Sequence, residues 1–210
     1  MLTVRRRARC ARIRTNHSAV RGVERTVDEI SDGRQRDIEA TRAVADGDAD
    51  AFESLVRAHS DAVYGHCLRF FGERTAAEDA TQEVFLKVLR QAGSYDGRAA
   101  FSTWLFRLTR NTCLDLARAA SRRPVTADLS LLADQAGADP MAVRDDADVL
   151  RRAVATLPPG ERDAIAAIGL FELTYAEAAQ ALGIAVGTVK SRVFRARRAL
   201  VAAIAKEDRR

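Results

Sequence analysis

The stretch "TYAEAAQALGIAVGTVKSRVFRARRAL", from Thr174 to Leu200, contains two helical patterns separated by a short turn. Thr174 and Glu177 have the spacing of a capping box, in which each side chain bonds the other residue's backbone N–H, so a helix is predicted to begin there. Gly183 predicts its end, because glycine adopts the left-handed conformation of helix C-termini without strain. Ala185 occupies the predicted N-cap of the next helix, where Ser, Thr, Asp or Asn would add about 1 kcal/mol of stability. A helix-turn-helix is the expected structure.

The second helix of this motif separates an apolar stripe from a polar and basic face. The apolar residues recur at helical spacing and are predicted to face the core. They are Val186, Val189, Val193, Ala196 and Leu200. The opposite face carries Thr188, Ser191, Phe194, Arg195 and Arg198, flanked by Lys190 and Arg197. Short hydrogen-bonding side chains followed by arginines suit a helix that reads base edges and then contacts phosphates, whereas a solvated surface helix is the alternative.

Composition places the chain among globular proteins of the reducing cell interior. It has 210 residues, 47% of them hydrophobic, and a net charge of +5 that favours a polyanionic partner such as nucleic acid. Three cysteines, at positions 10, 67 and 113, match neither a disulfide scaffold nor a zinc pair. No apolar run reaches the roughly 18 residues that span a bilayer, and no apolar segment follows the basic start. We therefore expect a cytoplasmic protein without membrane insertion.

The chain divides into an arm, two helical domains, a linker and a tail. Residues 1–36 carry ten arginines against four acids and predict a basic, disordered arm. Residues 37–120 show helical spacing over three or four segments. Residues 121–148, with two prolines and six aspartates, predict a flexible acidic linker. Residues 149–205 form the domain that contains the helix-turn-helix, and 206–210 the tail. The fold class is therefore all-α, with two small helical domains.

The first domain contains a helix with an acidic outer face. Thr75 and Glu78 have capping-box spacing and predict that the helix begins there. The stripe predicted to be buried comprises Thr81, Val84, Phe85 and Val88. The outer face then carries Asp79, Gln82, Glu83, Leu86 and Arg90. Such a face is either ordinary solvated surface or a dock for a basic helix of a partner.

The next helix, "FSTWLFRLTRNTCLDLAR", combines a basic stripe with nearby aromatic residues. Its buried side is predicted to hold Leu105, Leu108, Thr112 and Leu116. Its other side carries Arg107, Arg110, Asn111 and Arg118. The preceding loop, "GSYDGRAAF", contains Tyr95 and Phe101, and Trp104 follows. Single-stranded nucleic acid is bound in this way, with bases stacked on rings and phosphates held by arginine; the alternative is that Phe101 and Trp104 are core residues.

Four motifs together resemble bacterial RNA polymerase sigma factors of the extracytoplasmic-function group. They are "EDATQEVFLKVL", "FSTWLFRLTRNTCLDLAR", "LPPGERDAI" and "LTYAEAAQALGIAVGTVKSRVFRARRAL", and the resemblance extends over roughly residues 51–204. It implies a dissociable subunit that binds core RNA polymerase, recognises the minus-thirty-five and minus-ten promoter elements and helps to open the promoter. Catalysis would then belong to the polymerase. Expected partners are the core enzyme, double-stranded promoter DNA, the single-stranded non-template minus-ten strand and an anti-sigma factor.

The resemblance also implies roles for individual residues. The polymerase-binding residues would be Asp79, Gln82, Glu83 and Leu86. The minus-ten residues would be Tyr95, Phe101, Trp104, Arg107, Arg110, Asn111 and Arg118. The minus-thirty-five residues would be Thr188, Lys190, Ser191, Arg192, Arg195 and Arg198. Ala185 departs from the Ser or Pro frequent in the group, and the single Trp104 predicts weaker melting and stricter promoter choice than in vegetative sigma factors.

Two other classes of protein share some of these features. A regulator of the response-regulator type has a similar C-terminal motif, but it would require an alternating βα receiver domain where this chain shows helical periodicity. A metal-dependent or nucleic-acid enzyme would require ligand clusters, whereas His17, His59 and His66 are scattered and no HExxH or paired CxxC motif occurs. We expect no metal and no cofactor. Cys67 and Cys113 are expected to be inert core thiols, and the alternative is that they sense oxidants.

Overall fold

The structure, a computed structural model, describes residues 27–122 and 146–207, which form α-helices, one 3₁₀ turn and no strand within those ranges. This confirms the predicted all-α class. The eight helices are α1 (Val27–Ala45), α2 (Ala49–Phe71), α3 (Arg74–Gln91), α4 (Phe101–Arg122), α5 (Asp146–Ala155), α6 (Pro159–Gly169), α7 (Tyr175–Leu182) and α8 (Val186–Glu207). The 3₁₀ turn, Ala92–Ser94, follows α3.

Helices α1 to α4 pack around a core of aliphatic and aromatic side chains. Helix α2 begins after Asp48, whose carboxylate accepts hydrogen bonds from two backbone N–H groups of the first turn, and ends at Gly72 in the left-handed conformation. Val63, Val84 and Leu105, one each from α2, α3 and α4, are fully buried. Burying such side chains supplies the main stabilisation of this half, about 1.5 to 3 kcal/mol for each.

The N-cap of helix α3 lies two residues earlier than its sequence predicts. Glu73 is the N-cap, its side chain makes no capping bond, and Thr75 lies in the first helical turn. The Glu78 carboxylate accepts a hydrogen bond from Arg74 at 2.8 Å instead. The predicted capping box of Thr75 and Glu78 is therefore wrong, because a threonine with helical backbone angles cannot place its hydroxyl over the helix end.

The turn between α7 and α8 follows the sequence prediction closely. The Glu177 N–H donates to the Thr174 hydroxyl at 3.2 Å, and the Glu177 carboxylate accepts from the Thr174 N–H at 2.9 Å. Gly183 ends α7 with a φ of 67°. The Ala185 carbonyl accepts the first helical hydrogen bonds of α8, which places Ala185 at the predicted N-cap. The helix-turn-helix and its capping box are confirmed.

The apolar stripe of α8 begins later than predicted. Val189, Val193 and Ala196 are at most 1% exposed, and Leu200 is half-buried. Val186 is 40% exposed, so its predicted place in the core is wrong. Helical period assigns a residue to a face, but it does not show how far along that face the neighbouring helices extend.

Several predicted boundaries differ from those of the helices. The described part of α1 starts at Val27, inside the segment predicted as a disordered arm, so residues 27–36 are helical. Helix α4 runs to Arg122 and α5 begins at Asp146, which shortens the predicted linker at both ends, and α8 runs into the predicted tail. The remaining parts of the predicted arm, linker and tail, residues 1–26, 123–145 and 208–210, lie outside the described residues.

The two helical halves pack against each other through one continuous apolar core. Helix α4 contacts α7, and α2 contacts α5. The rings of Phe106 and Phe171, one from each half, lie 5.2 Å apart in an edge-to-face arrangement, and His66 lies beside both. Edge-to-face pairs of this kind add about 0.5 to 1.5 kcal/mol beyond the area they bury.

Candidate polymerase and nucleic-acid interfaces

The outer face of α3 combines acidic groups with exposed leucines. Three of the four predicted residues are exposed there, namely Asp79, Gln82 and Leu86. Glu83 is half-buried, and its carboxylate lies 3.7 Å from the Arg90 guanidinium. Leu89, which the predicted site omits, is 46% exposed and follows Leu86 by three residues, so the two side chains are neighbours on the helix. The face suits a partner helix that carries both basic and apolar side chains.

Tyr95, Phe101 and Trp104 form one aromatic cluster at the start of α4. Their ring centroids lie 5.5 to 5.7 Å apart in pairs. Trp104 is half-buried, and the Tyr95 hydroxyl donates to the Ala99 carbonyl at 2.8 Å while burial raises the Tyr95 pKa. Phe101 is only 1% exposed, so it is a core residue in this structure and presents no ring to a base. Phe101 shares the inner face of α4 with Leu105, four residues on.

Helix α1 braces the loop that precedes this cluster. The Arg34 guanidinium donates to the Arg98 carbonyl at 3.1 Å. Gly97 has a φ of 72°, which a glycine adopts without strain, and a side chain there would contact Ile38 at 3.6 Å. The Asp96 carboxylate accepts from the Arg98 N–H at 3.0 Å and completes the turn. The sequence prediction missed these contacts between α1 and the loop, since it placed the start of α1 in a disordered arm.

The basic stripe of α4 is divided between two environments. Asn111 and Arg118 are exposed, and Arg118 pairs with Asp115 on its own helix at 3.3 Å. Arg107 and Arg110 instead contact the C-terminal half. The Arg107 guanidinium donates to the Gln180 carbonyl at 3.0 Å. The Arg110 guanidinium bonds the Asp163 carboxylate at 2.7 Å. These two arginines are therefore occupied in this conformation.

Helix α8 presents a hydrogen-bonding and basic surface. Four of the six predicted residues are exposed, namely Lys190, Ser191, Arg195 and Arg198. Thr188 is half-buried, and its carbonyl accepts from the Ser191 hydroxyl at 2.9 Å. Arg192 is half-buried over Gly160, where an added side-chain carbon would lie 2.9 Å from the guanidinium carbon. The structure therefore turns Arg192 towards α6 rather than away from it, because the residue lies one position before Val193 at the edge of the buried stripe.

An open groove of about 350 Å³ runs beside this surface, lined by Tyr175, Lys190, Val193, Phe194 and Arg197. The Lys190 ammonium lies 5.9 Å from the centre of the Tyr175 ring. Phe194 is 61% exposed, with the Arg198 guanidinium 5.7 Å from its ring centre. A cation over an aromatic face is a stabilising arrangement. The predicted site omits Tyr175 because that residue belongs to the other helix of the motif.

Three buried groups between α2 and its neighbours can ionise. His66 is 3% exposed and neither ring nitrogen has a partner among the described residues. Burial lowers the His66 pKa to about 4. The Cys67 and Cys113 sulfur atoms lie 3.7 Å apart as buried free thiols. Their mutual hydrogen bond lowers the Cys67 pKa and, together with burial, raises that of Cys113. Within residues 27–122 and 146–207, no cluster of His, Cys, Asp and Glu has the geometry of a metal site.

Both halves of the chain match known sequence families. Residues 55–123 match Sigma-70 region 2, and residues 147–200 match Sigma-70, region 4. The extracytoplasmic-function (ECF) RNA polymerase sigma factor SigM of Mycobacterium tuberculosis is 39% identical over 163 residues, which cover 77% of this chain and 81% of that protein. This chain belongs to the ECF sigma factors. The ECF sigma-E factor of Escherichia coli is 32% identical over 169 residues, covering 75% of this sigma factor and 88% of the relative.

Solved structures extend the likeness of this sigma factor to its three-dimensional arrangement. CnrH in complex with the cytosolic domain of CnrY has a TM-score of 0.60 and 26% identity, and the match covers 81% of this sigma factor and 98% of CnrH. RpoE of Bartonella quintana, solved with the anti-sigma factor NepR, has a TM-score of 0.58 at 24% identity over 73% of this chain and 96% of RpoE, which shows the common fold. No helix in the described ranges is long and apolar enough to span a bilayer.

Proposed function

We propose that this ECF sigma factor docks on core RNA polymerase through α3, captures the minus-ten element with the Tyr95–Trp104 cluster and α4, and reads the minus-thirty-five element with α8. One observation carries the proposal. The chain has two surfaces of different nucleic-acid chemistry, a stacking cluster beside arginines and an exposed helix-turn-helix face, and a third surface that is acidic. Only a protein that joins two DNA elements to a third partner needs all three.

The C-terminal surface suits duplex DNA. Ser191 is exposed in the second turn of α8, where a recognition helix reaches base edges, and the exposed Lys190 and Arg198 supply positive charge for phosphate contacts. The Thr174 capping box and the left-handed Gly183 fix the angle at which α8 leaves α7. A surface of this kind should bind duplex promoter DNA with strong salt dependence, because each phosphate contact releases counterions.

The N-terminal half carries one surface that suits a protein partner and another that suits single-stranded DNA. Asp79 and Glu83 share one face of α3 with the exposed Leu86. A surface that mixes acids with an apolar side chain suits a basic amphipathic helix of a protein partner and repels DNA. Trp104 and Tyr95 can stack on unpaired bases at about 1 to 3 kcal/mol for each base. We propose that the chain itself carries no active site and that it acts in the cytoplasm, where the polymerase works. We also propose that an anti-sigma factor restrains it, as RpoE is bound by the anti-sigma factor NepR.

Transcription with purified components tests the proposal. Reconstituted holoenzyme should initiate from promoters upstream of the genes that respond to overproduction of the factor, and core enzyme alone should not. The charge-reversed variant Asp79→Lys with Glu83→Lys should bind core polymerase at least tenfold more weakly. The matched control reverses two acids of α2, Glu53→Lys with Asp61→Lys, and should bind as the wild type does. Equal loss in both variants would show a general charge effect rather than docking on α3.

The minus-thirty-five assignment has its own test. Lys190→Ala should lower the magnitude of the salt slope of duplex promoter binding by about one, because one phosphate contact is lost. Ser191→Ala should leave that slope unchanged and alter the preferred base at one position. If Lys190→Ala changes neither slope nor affinity, α8 does not lie against the DNA backbone at this residue.

A further inference from the structure

We propose that Glu161, in the first turn of α6, is a positioning residue for promoter recognition. It holds the Arg195 guanidinium of α8 so that the free end of the guanidinium meets one base of the minus-thirty-five element. The Glu161 carboxylate accepts a hydrogen bond from the Arg195 Nε at 2.7 Å, across 34 residues of sequence. The inference rests on the proposed function of α8 and deepens it, because it adds a residue from another helix to the DNA-reading surface.

The two partners of this ion pair differ in exposure. The Glu161 side chain is 14% exposed, whereas the Arg195 side chain is 56% exposed. Glu161 is therefore largely shielded by protein, and Arg195 extends from it towards solvent. An ion pair with so exposed a partner contributes little to stability. A shielded carboxylate does, however, fix the orientation of the guanidinium that it bonds.

The bond uses the Nε–H of Arg195 and leaves the end of the guanidinium for another acceptor. Arginine carries its N–H donors in a planar fork, and a bond from Nε does not consume those of Nη1 and Nη2. Two donors at the end of a fork match guanine, whose N7 and O6 are both acceptors in the major groove. Contact through Nε thus orients the guanidinium without occupying the edge that reads a base.

The first turn of α6 is itself fixed by contacts within the C-terminal half. The Pro158 carbonyl accepts from the Glu161 N–H at 2.9 Å at the start of the helix. The Arg162 guanidinium donates to the Ala155 and Leu157 carbonyls at 3.0 and 2.9 Å, which ties this turn to the end of α5. A supporting residue orients its partner only where its own position is fixed, and this turn meets that condition.

The same turn of α6 supports a second arginine of α8. The Arg192 guanidinium lies against Gly160, where an added side-chain carbon would be 2.9 Å from the Arg192 Nη1. Arg192 and Arg195 are neighbours on α8, three residues apart. Their guanidinium groups therefore contact consecutive residues of α6, Gly160 and Glu161. Two of the residues predicted to contact the minus-thirty-five element thus lean on one turn outside the recognition helix.

Base-pair discrimination by reconstituted holoenzyme tests the proposal. The probes are promoter duplexes on which the wild-type holoenzyme initiates, in which each base pair of the minus-thirty-five element is replaced in turn by the other three. Fluorescence anisotropy gives the Kd for each duplex. Arg195→Ala identifies the base pair that Arg195 meets, since discrimination is lost there. Glu161→Ala removes the carboxylate, and the matched control Glu161→Gln removes the same charge but keeps an oxygen that accepts from Nε.

The wild type should prefer guanine at the base pair that Arg195→Ala identifies, by about 5- to 150-fold. Glu161→Ala should lower that preference about fivefold and leave the preferences at other base pairs unchanged. Glu161→Gln should keep most of the preference. Both variants should bind every duplex slightly more tightly, because a carboxylate repels phosphates. In the Arg195→Ala background, Glu161→Ala should change no preference.

Four outcomes would overturn the inference. Unchanged preferences in Glu161→Ala refute the positioning role, and so does a fall at every base pair alike, which is the result of a displaced helix. An equal fall in Glu161→Gln shows that the charge is responsible, so Glu161 does not act as the acceptor for Nε. If Arg195→Ala loses no preference, the inference is wrong while α8 remains a DNA-reading helix. A wild-type holoenzyme without any base preference in this element refutes the proposed function of α8 as well.

Discussion

Acidification should destabilise this protein through His66. Burial lowers the His66 pKa from 6.5 to about 4, with Arg69 and Arg110 acting in the same direction and Asp163 against it. The unfolded chain therefore binds a proton below about pH 6.5, whereas the folded chain binds it only near pH 4, so stability is lost as the pH falls through this interval. The expected loss is about 2 kcal/mol between pH 7.5 and pH 5, and about 3 kcal/mol once both states are protonated.

Urea denaturation at a series of pH values measures this loss. Trp104, the single tryptophan of the chain, is half-buried and reports unfolding by fluorescence. The control variant His66→Leu keeps an apolar side chain of similar size between Phe106 and Phe171 and has no group to titrate. Its free energy of unfolding should change less between pH 7.5 and pH 5 than that of the wild type, by about 2 kcal/mol. Parallel pH profiles for the two proteins would refute the assignment of a neutral, buried His66.

Three further predictions concern local features of the fold. Ala185 is the N-cap of α8, since its carbonyl accepts from the Thr188 and Val189 N–H groups. Ala185→Ser should therefore stabilise the protein by about 1 kcal/mol in thermal or urea unfolding, because a serine hydroxyl at an N-cap accepts a hydrogen bond from a backbone N–H of the first turn. Gly183→Ala should destabilise the protein by about 1 to 2 kcal/mol, because alanine is strained in the left-handed conformation. The added carbon would meet nothing within 4 Å, so backbone strain is the whole effect. The control Gly169→Ala, which also has open space but no positive φ, should show no loss of stability. The buried thiols of Cys67 and Cys113 should resist a maleimide reagent in native buffer and react with it in urea, as counted by mass spectrometry.

Features that depend on neighbouring residues were predicted well from the sequence. The capping box at Thr174, the end of α7 at Gly183 and the N-cap at Ala185 all follow from contacts within about four residues. The failure at Thr75 has the same local origin. Helix α3 can begin at either of two nearby positions, and the chain begins it at Arg74, where the carboxylate of Glu78 pairs with that residue instead of capping the helix.

Features that depend on packing between distant segments were not predicted. Asp163 meets Arg110 across 53 residues, and no local pattern marks either side chain as a partner of the other. The surroundings of His66 were not predicted for the same reason. The sequence shows that His66 is adjacent to Cys67, but it does not show that an aromatic ring from each half packs against the imidazole. The buried and exposed faces of α3 and α8 were assigned well in the middle of each helix. The error at Val186 occurred at a helix end, where helical period does not show whether a neighbouring helix still covers that face.

Arginines that suit a nucleic acid also suit oxygen atoms within the chain. A guanidinium satisfies carbonyl, carboxylate and phosphate oxygens with the same donors. Arg110 bonds the Asp163 carboxylate at 2.7 Å and keeps about a third of its side chain exposed, and Arg107 bonds the Gln180 carbonyl at 3.0 Å. Helical period and charge therefore predict that these arginines share one face of α4, but they do not predict which oxygen each guanidinium meets.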